Sequence, residues 1–215
     1  SSWSWKRGFP PLPSSIRLKI RMKRDKKAVF FDRDGTLIED RHYLKDPDGV
    51  TLLAGAAECV RALREAGFLI VVVSNQSGVA RGMMTEDDVR RVNERFCALM
   101  REAGASVDGM YYCPHFPGGS VPAYAADCAC RKPKTGMAEA ASRDLGIDLC
   151  ASYAVGDKAA DMLFGANAGM KAGFLVLTGY GTDERGKIAG LPFAEEAASL
   201  AEVAEKIAER EARRG

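Results

Sequence analysis

Beyond Lys27 the chain alternates short apolar runs with amphipathic stretches of helical period. Residues 28–31 are apolar throughout and give way at once to charged and glycine residues, the pattern of a parallel strand buried on both faces. Residues 54–66 place Ala56, Val60 and Leu63 on one helical face and stop at Gly67, a residue type that suits a helix end. Residues 68–73 carry the strongest strand signal, being apolar throughout and half valine. Thr85 followed by Asp88 predicts a capping box. The helix it opens has its apolar stripe on Val89, Val92, Phe96, Leu99 and Met100. Residues 110–112 read as a strand, followed by a loop containing Pro and Gly that runs to Lys134. A helix over 135–145, a strand over 153–155, a helix over 158–168 and a strand over 174–177 come next. The stretch 194–210, rich in alanine and glutamate, predicts one helix or a pair.

Strands separated by helices of this length predict an α/β fold with a doubly wound, mostly parallel, Rossmann-like sheet. Ligands of such sheets bind beyond the carboxyl ends of the strands. Asp32, Ser74, Cys113 and Asp157 each follow a predicted strand directly, so polar chemistry converges on one edge. The expected division is a leader or added segment over residues 1–23, with Met22 as the native start, and a single domain over 24–215. Residues 1–27 are basic and contain proline and serine, without the continuous apolar stretch of a signal peptide.

Composition narrows the function classes. A formal net charge of +2 gives no case for nucleic acid or an anionic membrane as partner. No apolar run approaches the roughly 18 residues of a membrane span. Three of the six cysteines crowd around a histidine, which points to metal in a reducing, cytoplasmic compartment rather than to disulfides. Cys113-Pro-His115 and Cys128-Ala-Cys130 offer three thiolates and an imidazole, a donor set for closed, structural, tetrahedral zinc. The loop between them, 113–130, runs straight into Arg131 and Lys132, so a metal there would fix the backbone of both cations. His42 reads as a surface loop residue near the mouth of the site.

The segment Phe31-Asp32-Arg33-Asp34-Gly35-Thr36-Leu37 places two acids two positions apart at the end of a strand. Taken alone it is also what a solvated turn looks like. Two crowded carboxylates repel, and a divalent cation between them relieves the repulsion. Magnesium takes hard oxygen ligands and keeps part of its water, leaving room for a phosphate oxygen. A carboxylate can then attack phosphorus and split hydrolysis into two steps through an aspartyl phosphate.

DRDGTL after an apolar strand resembles the first motif of the haloacid dehalogenase-like phosphatases, and the other motifs follow in order. Ser74 in FLIVVVSNQSG matches the second, Lys132 in CRKPKTGM the third, and Asp157 in YAVGDKAAD the fourth, with Asp161 in support. Together with GMYYCPHFPGGS and VVVSNQSGVARG, these segments resemble the D-glycero-D-manno-heptose 1,7-bisphosphate 7-phosphatases, a family without a large cap domain and with a zinc loop instead. The resemblance covers nearly all of residues 24–180. It implies Asp32 as nucleophile, Asp34 as general acid and base, Ser74 and Lys132 as stabilisers of the phosphoryl group, and Asp32, Asp34 and Asp157 as magnesium ligands. Arg33, Asp40, Tyr43, Asn75, Gln76, Ser77, Arg131 and Lys158 are the expected substrate contacts, Arg131 through a second phosphate. The implied reaction removes the C7 phosphate of a heptose bisphosphate in nucleotide-activated heptose synthesis, by a protein acting as a monomer with Mg2+ and Zn2+. A histidinol-phosphate phosphatase shares the motifs and the zinc loop, and a zinc-binding interaction module is the non-enzymatic alternative.

Overall fold

The structure, a computed structural model, describes residues 25–213, and the leader expected over 1–23 lies outside them. Strands β1 (Ala28–Phe31), β2 (Leu69–Asn75), β3 (Gly109–Cys113), β4 (Tyr153–Gly156), β5 (Ala172–Val176) and β6 (Ala194–Ala197) form one parallel sheet in the order β3-β2-β1-β4-β5-β6. Successive strand residues point to opposite faces, which sorts each apolar run into two layers. Val29, Phe31, Ile70, Val72 and Phe174 pack with Val60 and Leu63 of α1 (Ala56–Glu65), Phe96 and Met100 of α2 (Glu86–Glu102), and Val203 and Ile207 of α6 (Leu200–Ala212). On the other face Phe30, Val71, Val73 and Tyr111 meet Met137 and Ala141 of α3 (Gly136–Leu145) and Phe164 of α4 (Ala159–Asn167). A one-turn α5 (Gly181–Glu184) follows β5.

The capping box forms as the spacing predicts: Asp88 N–H donates to Thr85 Oγ1 at 3.1 Å, and Thr85 N–H donates to Asp88 Oδ2 at 2.7 Å. One expectation fails. Residues 194–210 are not continuous helix but β6 followed by α6, with Ser199 capping the helix. Pairing of β6 in register with β5, from Gly173↔Ala194 to Val176↔Ala197, overrides the helical propensity of Ala and Glu. The strand is at the edge of the sheet, where Glu195 and Glu196 reach Arg210 and Arg185. Charged residues suit such an exposed edge. At the far end of the helix, Glu211 accepts from Lys27, Tyr153 and Lys171 and so fastens α6 to the sheet.

The strand order reverses between β1 and β4, the place where doubly wound sheets open a crevice at their carboxyl ends. Among the described residues no large cap is inserted. The connection from β3 to α3 carries the Cys/His loop instead. Among the described residues no helix is long and apolar enough to cross a membrane.

Candidate active site

β1 and β4 deliver the two buried acids that face each other across the crevice. Asp32 extends β1 by one residue, its N–H donating to Val155 O at 2.9 Å. The chain then coils, with Leu37 and Ile38 N–H both donating to Arg33 O. Gly35 makes that coil possible. Its φ is +80, and a Cβ there would run into the Asp157 carboxylate and the backbone of Gly179.

Asp32, Asp157 and Asp161 are all buried, and each offers a carboxylate oxygen within 4.8 Å of the others. Lys132 Nζ donates to Asp32 Oδ1 at 2.9 Å and to Val73 O at 2.8 Å, and lies 2.6 Å from Asp161 Oδ1. Asp161 Oδ2 accepts from Lys158 N–H. Asp157 Oδ2 accepts from Tyr180 N–H at 2.9 Å, while its Oδ1 is buried with no hydrogen-bond partner. A buried carboxylate oxygen left bare is costly unless something positive meets it.

The electrostatics agree. Burial pushes the Asp32 carboxyl up to about 6 against the pull of Lys132, with the negative charge of Asp161 adding to the rise. Burial, reinforced by the negative charge of Asp32, pushes Asp157 up to about 7. Lys132 is desolvated too, but Asp161 and Asp32 more than offset that and hold its pKa above the ordinary lysine value. Three buried carboxylates share Lys132 and Lys158, whose Nζ is 3.9 Å from Asp157 Oδ1. A hard divalent cation between Asp32 and Asp157 fits the orphaned oxygen and the all-oxygen donor set.

Asp34 stands beside this trio rather than in it. Its carboxylate accepts from Arg33 through two nitrogens, from Gln76 Nε2 at 2.8 Å and from Ser74 Oγ at 3.5 Å. Ser74 Oγ also accepts from Gln76 Nε2 at 2.5 Å. Asn75 and Lys132 are stapled together, Asn75 Nδ2 donating to Lys132 O and Lys132 N–H to Asn75 Oδ1.

A cavity of about 290 Å3 opens here, lined by Asp32, Asp34, Asp40, Tyr43, Asn75, Gln76, Ser77, Lys132 and Lys158. Two expected substrate contacts lie elsewhere. Arg33 is 1% exposed and turned inward, its guanidinium divided between Asp34 and Asn93 Oδ1 at 2.5 Å, so it orients Asp34 instead of meeting a ligand. Arg131 stands beside the cavity, its Nη1 donating to His115 O at 3.3 Å.

Two residues of the cavity region escaped the sequence reading. Tyr180 lines the cavity, binds Asp157 through its N–H and hydrogen-bonds His42 Nδ1 at 3.2 Å. Nothing in its local sequence points to this, because the contact depends on how the turn after β5 meets the turn after β1. Asn93 left a trace, being a polar residue inside the apolar stripe of α2, buried to 3% exposure. His42, expected as a surface residue, is exposed but reaches the cavity wall, and like Tyr43 it has a positive φ (44 and 49).

Beyond β3, the four donors of the second cluster converge. Cys113, Cys128 and Cys130 Sγ are 3.1–3.4 Å apart, and His115 Nδ1 is 3.5 Å from Cys130 Sγ and 3.8 Å from Cys113 Sγ. Four ligands about 2.3 Å from a central zinc would be about 3.7 Å apart. The edges here are close to that, and the soft donor set suits zinc. Hydrogen bonding with Cys113 first, and then with Cys128 and His115, outweighs burial and holds the Cys130 thiol down to about 5.

Known proteins resemble this chain in sequence and fold. Residues 129–208 match the HAD-hydrolase-like family model. The D-glycero-beta-D-manno-heptose-1,7-bisphosphate 7-phosphatase of Haemophilus ducreyi is 44% identical over 155 residues, covering 72% of this chain and 85% of that protein. Its counterpart from Yersinia pestis is 42% identical over 170 residues, with 78% and 89% covered. Among solved structures, D,D-heptose 1,7-bisphosphate phosphatase from B. bronchiseptica, complexed with magnesium and phosphate, aligns with a TM-score of 0.74 and 32% identity, over 86% of this chain and 99% of that one. A HAD-like phosphatase from Mesorhizobium loti aligns with a TM-score of 0.68 and 40% identity, over 70% and 72%. An acid after β1, another after β4 and a lysine between them on a doubly wound parallel sheet define a haloacid dehalogenase-like hydrolase. Within that class, the chain belongs to the family of heptose 1,7-bisphosphate 7-phosphatases.

Proposed function

We propose that this chain is a magnesium-dependent phosphomonoester hydrolase that removes the C7 phosphate of D-glycero-D-manno-heptose 1,7-bisphosphate and leaves heptose 1-phosphate. The observation that carries the reading is the grouping of Asp32, Lys132, Asp157 and Asp161 at the point where the strand order reverses. Relatives of that name at 40–44% identity support the substrate. The same acids and lysine also suit other phosphate esters, so the sugar rests on kinship and the chemistry on geometry.

Asp32 Oδ attacks phosphorus in line with the leaving sugar oxygen and becomes an aspartyl phosphate. Asp34, held by Arg33 and Gln76, gives a proton to the departing C7 oxygen and later takes one from the water that attacks the phosphoaspartate. Lys132 neutralises charge on the nucleophile and on the transferring group, while Ser74, Asn75, Gln76 and Ser77 surround the phosphoryl oxygens. Lys158 and Asp40, 3.4 Å apart, form the wall toward the sugar, with Tyr43 beside them. Asp32 and Asp157, with Asp34 beside them, would hold magnesium. When bound, the ion offsets the negative charge shared by nucleophile and phosphate. Zinc on Cys113, His115, Cys128 and Cys130 is structural, and it sets the backbone that presents Arg131 and Lys132. Residues 24–215 act as one domain, as a monomer and in the cytoplasm.

Phosphate release from a panel tests the substrate. With heptose 1,7-bisphosphate in both anomers, histidinol phosphate and fructose 1,6-bisphosphate, kcat/KM is highest for a heptose bisphosphate. A wide margin for histidinol phosphate would reassign the enzyme to the related reaction.

A further inference from the structure

Tyr180 meets three parts of the site at once. Its N–H donates to Asp157 Oδ2 at 2.9 Å, Lys158 Nζ lies 4.7 Å from its ring centroid, and its hydroxyl is 3.2 Å from His42 Nδ1. Asp40 closes the circuit. Its Oδ1 accepts from His42 N–H at 2.9 Å and its Oδ2 from Lys158 Nζ at 3.4 Å. Tyr180, His42, Asp40 and Lys158 all line the cavity. They belong to the turns after β1, β4 and β5, so three separate turns make one continuous wall.

Two parts of this wall depend on the tyrosine. His42 and Tyr43 have φ of 44 and 49, a region that residues other than glycine hold only where their surroundings fix them. Packing does not fix His42, whose side chain is 74% exposed. Asp40, His42 and Tyr180 also line a second cavity of about 380 Å3, so the wall has space on both sides. Lys158 carries its ammonium on a flexible four-carbon stem. An aromatic face beside it restrains that stem while leaving the charge and the N–H groups available.

We propose that Tyr180 is a positioning residue for substrate selection: its hydroxyl holds the 40–43 loop and its ring holds Lys158, presetting the wall that receives the polar body of a phosphorylated sugar. The inference rests on the reading that the substrate is a sugar phosphate. The bond from Tyr180 to Asp157 is made by the main chain, so substitution by Phe or Leu keeps it. Loosening the wall weakens the grip on the sugar rather than the attack on phosphorus.

The test is the ratio of kcat/KM for heptose 1,7-bisphosphate to that for p-nitrophenyl phosphate, an ester without a sugar. It is measured in the wild type, Tyr180→Phe, Tyr180→Leu, His42→Ala and the double variant Tyr180→Phe/His42→Ala. The ratio does not depend on the fraction of protein that is folded. It is expected to fall about threefold or more in Tyr180→Phe, and about tenfold or more in Tyr180→Leu, through KM for the sugar phosphate. The double variant should fall no further than His42→Ala alone, because the hydroxyl acts through the imidazole. An unchanged ratio in both Tyr180 variants, whether or not the two rates drop together, would overturn the inference. Losses that multiply in the double variant would overturn the tie to His42. If the wild type shows no preference for the sugar phosphate, the underlying reading fails and the inference falls with it.

Discussion

Gly35 ties Asp32 to Asp157 more tightly than its size suggests. Its positive φ lets the chain turn after Asp32, and its missing side chain leaves the space that the Asp157 carboxylate fills. Alanine here meets both a strained backbone and a carboxylate with nowhere to retreat. Gly35→Ala is expected to raise the magnesium concentration needed for half-maximal activity by about tenfold or more, read from a magnesium titration of phosphate release. A wild-type titration in the variant would show that Asp157 is not placed by this contact. Arg33 is the residue whose role changed most on going from sequence to structure. Flanked by two acids in a D-x-D segment, it reads as a cation for phosphate. Burial against Asn93 of α2 instead turns it inward onto Asp34. The motif says which residue types are present, but the inward turn of that side chain is decided by a helix 60 positions away in sequence.

At the scale of elements, most strands and helices were legible because their apolar periodicity is strong. Residues 68–73 and the Thr85 cap are examples, and both formed where predicted. The stretch 194–210 was misread because Ala and Glu favour helix locally, while β6 exists only through its pairing with β5. Propensity holds no record of a partner strand. The Cys/His loop was legible from spacing alone, and the structure brings its four donors together. Its proposed task yields a prediction at this scale. Chelation should remove one zinc per chain, lower the melting temperature by about 5 °C or more, and depress activity by loosening Lys132 while magnesium is kept saturating. Metal analysis of fully active protein that finds no zinc would contradict it.

For the whole molecule, the strand order brings distant motifs to one crevice. Asp32, Ser74, Lys132 and Asp157 span 126 positions from first to last, yet three strands and the loop after β3 bring them to one edge of the sheet. The parallel sheet explains why four motifs in register pointed to one function from sequence. It also explains what stayed hidden, since Tyr180 reaches the site through contacts between turns that no motif encodes. The Asp32–Lys132 pair at the centre joins fold to chemistry, because one lysine balances two buried acids that the sequence keeps far apart.

The most direct measurement is rapid acid quench of the Asp34→Asn variant turning over heptose 1,7-bisphosphate labelled in its C7 phosphate, followed by mass spectrometry of the peptides. Slowed breakdown in that variant should leave label on the peptide containing Asp32, and none when Asp32→Asn is introduced as well. Release of labelled phosphate by wild-type protein, with no label on Asp32 at any quench time in either background, would contradict the account.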